Sequence, residues 1–242
     1  MNRIAAIILL SSIYGLGLFS CKKDSHVRIN MGYNYFPNQI GRYVIYDVDS
    51  IYYYNSPVQT DTVKFQLKEK IESIYWDNQN RPTIRLERYK KYYNSNTPYL
   101  SMQWVLANVW SENLTNRTAE KVEENVRFIK LAFPINKDQK WNGNAQNTNE
   151  SCDYSYEYFD ATKTIGNFHF DSVLQVTQVD DKLSNIIERK YYIEKYAKNV
   201  GLVYKQIIDI QSSGPYYPPK PIMQRITSGF QYSMTINCYG VE

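Results

Sequence analysis

The amino-acid sequence predicts a mainly β fold, a single large antiparallel sheet that is twisted and curled into a half-barrel. A β-sandwich is the alternative. Two observations support the prediction of a mainly β fold. Apolar and polar residues alternate with period two over long segments, and clusters of turn-forming residues separate those segments. Together the segments predict about ten strands, and open sheets of that size tend to curl or split into two layers.

The segment near the C-terminus gives the clearest alternation. One face is predicted to carry Ile226, Ser228, Phe230, Tyr232, Met234, Ile236 and Cys238. The residues between them are mostly polar and are predicted to occupy the opposite face. Because a slip of one residue would exchange the two faces, burial of one face should determine the register of this strand.

A second long alternation occurs in the first third of the chain. Its apolar face is predicted to contain Val63, Phe65, Leu67, Ile71 and Tyr75, and its polar face Lys64, Gln66, Lys68, Lys70 and Glu72. Long strands with one polar face are typical of antiparallel sheets that meet water on one side.

The remaining strand predictions follow each other along the chain, as in a meander. They are Arg42–Tyr54, Thr83–Tyr93, Leu100–Trp110, Val126–Phe133, Tyr154–Phe159, Ser172–Gln178, Ile186–Ala197 and Gly201–Ile210. Thr118–Val126 is compatible with a helix, because Ala119, Val122 and Val126 have helical spacing, or with a hairpin that turns near Glu124 and Asn125. We favour the hairpin.

The N-terminus has the pattern of an export signal. Arg3 precedes an uncharged run from residue 4 to residue 20, which is too short and too interrupted for a membrane-spanning helix of about 20 apolar residues. The end of this run, Leu18-Phe19-Ser20-Cys21, resembles the bacterial lipobox, which implies cleavage before Cys21 and acylation of that cysteine. The alternative is an ordinary apolar leader that happens to contain a cysteine.

The residues after the cysteine, Cys21-Lys22-Lys23-Asp24, resemble the leader of Bacteroidota lipoproteins. This resemblance implies a palmitate-type lipid anchor in the outer membrane, and leaves open whether the protein faces the periplasm or the cell surface. The predicted organisation is a signal peptide at 1–20, a lipidated tether at 21–32 and a β-rich domain at 33–242.

Several motifs in the body resemble uncharacterised Bacteroidota lipoproteins. They are Tyr35-Phe36-Pro37, Leu131-Ala132-Phe133-Pro134, Trp141-Asn142-Gly143-Asn144 and residues 196–203. The predicted half-barrel also resembles the lipoprotein-carrier proteins, which hold an acyl chain inside a curled sheet. Such a likeness at the level of fold does not imply a function.

Charge and cysteine content limit the partners. The net charge is +4, and the basic residues are interspersed with acidic ones, whereas a nucleic-acid-binding protein needs a basic face. We therefore expect no nucleic-acid partner. Cys152 and Cys238 could form a disulfide in an oxidising envelope, or they could remain two separate buried thiols.

No group of residues has the pattern of a catalytic or metal site. The chain contains two histidines, His26 and His169, and a zinc site usually needs three or four ligands at short spacing. Asp47 and Asp49 should share one face of a strand, which could begin a carboxylate pair or a calcium site, but such pairs are usually solvated. We expect neither an enzyme nor a cofactor.

Tyrosine is unusually frequent, with 24 residues. Aromatic residues favour strands and pair across them, yet some could form a platform for sugars or proteins. Tyr216 and Tyr217 are predicted to be exposed in a proline-rich loop.

The leading hypothesis for the function is a non-enzymatic, lipid-anchored envelope protein that binds an apolar ligand or a protein partner. The alternative is a surface glycan-binding protein that uses exposed Tyr and Trp.

Overall fold

The computed structural model describes residues 30–54, 59–181, 187–214 and 220–242. Twelve strands form one sheet. They are β1 (Arg42–Tyr54), β2 (Thr60–Trp76), β3 (Pro82–Tyr92), β4 (Val105–Leu114), β5 (Thr118–Glu123), β6 (Val126–Ala132), β7 (Lys140–Asn142), β8 (Asp153–Ile165), β9 (Phe168–Asp180), β10 (Glu188–Ala197), β11 (Gly201–Ser212) and β12 (Ile226–Val241). Short 3-10 turns occupy Tyr33–Tyr35, Tyr99–Ser101 and Ile222–Gln224.

The strands form an antiparallel meander in which the first and last strands pair. The order across the sheet is β6-β5-β4-β3-β2-β1-β12-β11-β10-β9-β8-β7, so the pairing of β1 with β12 lies at its centre. The sheet curls until it is nearly closed, with one unsealed seam. The prediction of a single large, curled antiparallel sheet is confirmed, and the closure goes further than a half-barrel. We call the space enclosed by the curled sheet the lumen.

The ambiguous segment at 118–126 forms the hairpin that the sequence favoured. β5 pairs with β6, and the turn between them consists of Glu124 and Asn125, whose φ angles are 48° and 65°. Two consecutive residues with positive φ match the type I′ turn, whose twist suits a two-residue hairpin. The hairpin prediction is confirmed.

The fourth strand begins later than predicted. Leu100 and Ser101, which were predicted to begin a strand, belong to the 3-10 turn Tyr99–Ser101 after Pro98, and β4 runs from Val105 to Leu114. Proline lacks the N–H that a ladder needs and therefore interrupts pairing. The three-residue strand β7 was not predicted from the sequence.

Two bulges change which way side chains point. In β2 the register skips Glu72, so Tyr75 pairs with Thr83 rather than continuing the apolar face, and its side chain is 46% exposed. In β12 the register skips Asn237, so Cys238 lies opposite Ile45 instead of joining the face of Ile236. The predicted faces of Tyr75 and Cys238 are therefore wrong, because a bulge shifts the alternation by one residue.

The apolar core has two main parts. The first lies around the central pairing, where the inner face of β1 and β12 packs against the hairpin of β8 and β9; its members include Val44, Tyr46, Val48, Leu67, Ile165, Phe170, Val173, Met234 and Ile236. The second contains Tyr35 and Phe36, which pack against Leu131 and Tyr196. The Tyr35 hydroxyl donates a hydrogen bond to Asp160 Oδ1 at 2.7 Å, which ties the segment before β1 to the end of the sheet.

The seam separates β6 from β7, the two strands at the ends of the sheet. Side chains of β7 and β8 satisfy backbone groups of β6: Trp141 Nε1 donates to Ile129 O at 3.0 Å, and the Tyr156 hydroxyl contacts both Ala132 N at 3.0 Å and Ala132 O at 2.8 Å. One backbone bond, from Ile129 N to Gly143 O, also crosses the seam. Unpaired strand edges promote aggregation, and these contacts cover part of this edge.

Candidate binding site in the lumen

The lumen contains a partly open cavity of about 210 Å³. Much of the cavity lining is apolar and aromatic. The lining residues of this kind include Tyr46, Ile71, Leu86, Trp110, Ile207, Phe230, Tyr232 and Met234. They come from β1, β2, β3, β4, β11 and β12, because the inward positions of adjacent strands meet in the lumen when the sheet curls.

Charged side chains also line the cavity. Five basic and four acidic side chains contribute to its lining: Arg42, Arg88, Lys121, Lys130 and Lys205, with Glu69, Glu112, Glu123 and Glu194. Buried charges are costly unless they are paired. The pairing of these nine groups therefore determines what the cavity can accept.

A first group of four charges joins β2, β3, β4 and β5. Glu69 accepts from Arg88 Nε at 2.8 Å and from Lys121 Nζ at 3.0 Å, and Lys121 also lies 3.2 Å from Glu112. The Arg88 guanidinium stacks 3.4 Å above the ring of Trp110, a cation–π contact between a charged and an aromatic residue of the lining.

A second group of four charges crosses the lumen. Lys130 of β6 lies 2.7 Å from Glu123 of β5 and 3.1 Å from Glu194 of β10. Lys205 of β11 lies 3.2 Å from Glu194 and 3.8 Å from Glu123. The Tyr196 hydroxyl donates to the other oxygen of Glu194 at 2.6 Å. This group connects the strands on the two sides of the seam.

A bulge directs Lys130 into the lumen. In the pairing of β5 with β6, Ala119 lies opposite Leu131 and Glu120 opposite Ile129, so Lys130 has no residue opposite it. The extra residue of a bulge can re-aim a side chain, and Lys130 is only 4% exposed. The charge at the centre of the second group therefore depends on this irregularity.

The buried glutamates of the cavity do not all respond to burial in the same way. For Glu194, burial opposes ionisation, but Lys130 and Lys205 outweigh it and lower the pKa to about 2. For Glu112, burial dominates the attraction of Lys121, repulsion from Glu69 adds to it, and the pKa is raised. Burial also acts against the charged form of Lys130, but Glu123 and Glu194 raise its pKa above the ordinary value. Glu112 is thus the member whose ionised form is least well stabilised.

Arg42 differs from the eight paired charges. Among the described residues its guanidinium has neither a carboxylate partner nor a hydrogen-bond acceptor, and its Nε is buried without a partner. Burial lowers the pKa of Arg42 from its ordinary value. The cavity therefore carries one basic group that the protein itself does not neutralise.

Several predicted functional positions lie outside the described residues. These are the lipidation site Cys21, the tether histidine His26 and the tyrosine pair Tyr216 and Tyr217. The signal peptide at 1–20 and most of the tether at 21–32 also lie there. Their roles stay predictions.

Both remaining cysteines are free thiols, so the disulfide that the sequence left open is not formed. Cys152 lies just before β8, where its Sγ donates to Gln178 O at 3.4 Å near the end of β9. Cys238 lies opposite Ile45, at the start of β1. The turn after β8 approaches Ile236, so the whole length of β8 separates the two sulfurs, and a disulfide needs Cα atoms within about 7 Å.

The other candidate residues have structural partners on the outer surface. Asp47 accepts from Gln66 at 2.9 Å and from Asn237 at 2.6 Å, and Asp49 pairs with Lys64 at 3.2 Å. His169 is exposed and hydrogen-bonded to Thr164 at 3.2 Å across the β8–β9 hairpin. The described residues contain no group of three or more His, Cys, Asp or Glu placed to hold a metal.

Asp180 and Asp181 lie at the end of β9. Arg189 Nη1 lies 2.9 Å from Asp180 and 2.8 Å from Asp181. This pairing anchors the start of β10 to the end of β9, which is a structural role.

Sequence reasoning missed the luminal charges, although the sequence contains a signal for them. Glu69 lies between Leu67 and Ile71 in the apolar phase of β2, and Glu112 lies between Trp110 and Leu114 in β4. A charged residue in phase with an apolar face must be buried if that face is buried. It therefore requires a partner from another strand.

No protein-family model and no curated protein matches the chain. Among solved structures, the chain is similar to a Bacteroides fragilis protein with a YmcC-like fold that is provisionally described as exported. The identity is 11% and the TM-score 0.38, over 85% of this chain and 98% of that one. In the described part of the chain no helix is long and apolar enough to cross a membrane.

Proposed function

We propose that the chain is a non-enzymatic binding protein of the cell envelope that holds a small, mainly apolar ligand in its luminal cavity. The observation that carries this proposal is the composition of the cavity lining. Aromatic and aliphatic side chains border the open space, while the charged side chains are paired with one another, apart from Arg42. Ligand pockets are typically concave and largely apolar with a few placed polar groups.

The pairing of the charges favours binding over catalysis. A general acid or base needs a free proton-transfer group within reach of a substrate. Each glutamate of the cavity instead contacts a lysine or arginine at 3.2 Å or less. The envelope location rests on the lipobox-like sequence that ends at Cys21.

Filling the cavity should abolish binding. Ile207 of β11 lines the cavity, whereas the next residue, Ile208, points to the other face of the strand. Ile207→Trp should remove binding of octanol, measured by equilibrium dialysis, because the larger side chain occupies the ligand's space. Ile208→Trp adds the same side chain outside the lumen and should leave binding unchanged.

The result that would contradict the proposal is equal octanol binding by the wild type and Ile207→Trp. Thermal unfolding of each variant without octanol shows whether it is folded before binding is compared. Absence of octanol binding to the wild-type protein would also contradict it.

A second candidate function, binding of glycans, has one observation in its favour. Tyr92 and Tyr93 are 62% and 60% exposed, and the ring of Tyr93 lies 6.4 Å from that of Tyr99. Exposed aromatic rings offer flat apolar surfaces for sugar rings. A glycan array probed with the wild type and with the double variant Tyr92→Ala/Tyr93→Ala tests this; signals that persist in the variant would remove this surface from consideration.

A further inference from the structure

The cavity contains one basic side chain that lacks a counter-charge. Eight of its nine charged side chains form the two groups described above, with two acidic and two basic members in each. Arg42 is the ninth. The cavity is therefore neutral except at this position.

The location of Arg42 indicates that something outside the chain completes it. The described residues contain four buried side-chain polar atoms without a partner, and Arg42 Nε is the one among them whose residue lines the cavity. Buried polar atoms are nearly always satisfied by protein, water or a ligand. A half-buried guanidinium beside an open cavity is suited to an acceptor that enters through that cavity.

Apolar residues surround Arg42 in the lining of the cavity. Arg42 is the first residue of β1, and Phe36 and Pro37, from the segment before that strand, line the same cavity. Ile71 of β2 and Leu86 of β3 supply apolar surface nearby. A molecule bound here would meet one cation together with an apolar wall.

We propose that Arg42 recognises a single anionic group, a carboxylate or a phosphate, on the otherwise apolar ligand of the luminal cavity. The guanidinium presents parallel N–H donors that match both groups in a bidentate manner. The ligand class is thus an apolar chain or ring with one terminal anion. This inference rests on the proposed function, since it concerns the ligand of the same cavity.

Matched probes test the inference separately from the proposed function. Octanol, octanoate and octyl phosphate share one apolar chain and differ at its end. We expect the wild type to bind at least one of the two anions about tenfold tighter than octanol, the contribution of one charged hydrogen-bonding group. The two anionic probes also show whether a carboxylate or a phosphate is preferred.

Arg42→Gln should reduce affinity for the preferred anion about tenfold and leave octanol affinity unchanged. Arg117→Gln removes the same charge from an exposed turn outside the cavity and should change neither affinity. Arg42→Lys keeps the charge without the bidentate geometry and should fall between the wild type and Arg42→Gln.

The possible outcomes are distinct. Equal wild-type binding of octanol and both anions, or unchanged anion binding in Arg42→Gln, would overturn the role of Arg42 and leave the proposed function standing. Failure of the wild type to bind any of the three probes would overturn both proposals.

Discussion

The two sides of the curled sheet are held together in different ways. On one side, β1 and β12 pair from Arg42 opposite Val241 to Tyr54 opposite Ser228 with one bulge at Asn237, and apolar side chains such as Tyr46 and Ile236 cover this pairing from within. On the other side, β6 and β7 stand at the ends of the sheet, and side chains bridge them.

This difference shows which interactions hold two strands together when they are not paired by backbone hydrogen bonds as neighbours in the sheet. At the seam, Trp141 and Tyr156 satisfy backbone groups of β6, and Lys130 reaches from β6 to Glu194 on β10. The paired side should therefore be sensitive to lost apolar volume, and the seam side to lost charge and lost hydrogen bonds. The cavity lies between the two sides and is lined by both.

The largest expected effect is at the centre of the second charge group. Lys130→Met leaves Glu123 and Glu194 without their closest cation, and breaking a buried pair in this way typically lowers the free energy of unfolding by about 3–5 kcal/mol. Urea denaturation measures this value. Lys137→Met, at an exposed position, is the control, and a Lys130→Met loss no larger than the control's would refute the role assigned to the seam charges.

On the paired side, removal of apolar volume should be nearly as damaging. Leu67 is 0% exposed in the core beneath β1, and Leu67→Ala should lower the free energy of unfolding by about 3 kcal/mol through lost burial and a residual cavity. Leu100→Ala removes the same atoms from a side chain that is 97% exposed. If the two variants had equal stability in urea, Leu67 would not belong to a packed core.

A smaller effect is expected where one hydroxyl spans the seam. Tyr156→Phe leaves Ala132 N and Ala132 O without this partner, and unsatisfied buried backbone groups of this kind lower stability by about 2 kcal/mol. Tyr75→Phe removes a hydroxyl from a side chain that is 46% exposed and should have little effect. Hydrogen exchange of the Ala132 amide should also be faster in Tyr156→Phe, and unchanged exchange would argue against the hydrogen bond from Ala132 N to the Tyr156 hydroxyl.

A change in the acid dependence of stability is also expected. Burial opposes ionisation of Glu194, but Lys130 and Lys205 outweigh it, so the pKa falls from 4.5 to about 2. Because the folded pKa is below the unfolded one, this stabilisation is present above about pH 4.5 and is lost as the pH falls towards about 2. Glu194→Gln should flatten the acid slope of the unfolding free energy, whereas exposed Glu157→Gln should not; an unchanged slope in Glu194→Gln would contradict the pairing.

Much of the fold was predictable because the alternation of apolar and polar residues identifies the strands. β1 has the predicted bounds of Arg42 and Tyr54, and the hairpin at Glu124 and Asn125 followed from its turn residues. The bulges at Glu72 and Asn237 were not predictable, since an extra residue leaves no mark in a short alternating pattern. The predicted faces of Tyr75 and Cys238 were wrong for that reason.

The candidate site was less predictable than the fold. Glu69 is recognisable as a charge in an apolar phase, but its partners Arg88 and Lys121 come from two other strands. Lys130 enters the lumen only because a bulge leaves it unopposed. The unpaired state of Arg42 becomes visible only when every other charge of the cavity has been assigned a partner.

The most direct test of the central claim, that the lumen holds a ligand, is a crystal structure with bromo-octanoate. The bromine is located by its anomalous signal. We predict one strong signal inside the cavity, beside Trp110 and Tyr232, with the carboxylate at Arg42. Bromine signal only on the outer surface, for example beside the exposed rings of Tyr92 and Tyr93, or no signal at a saturating concentration, would contradict the account.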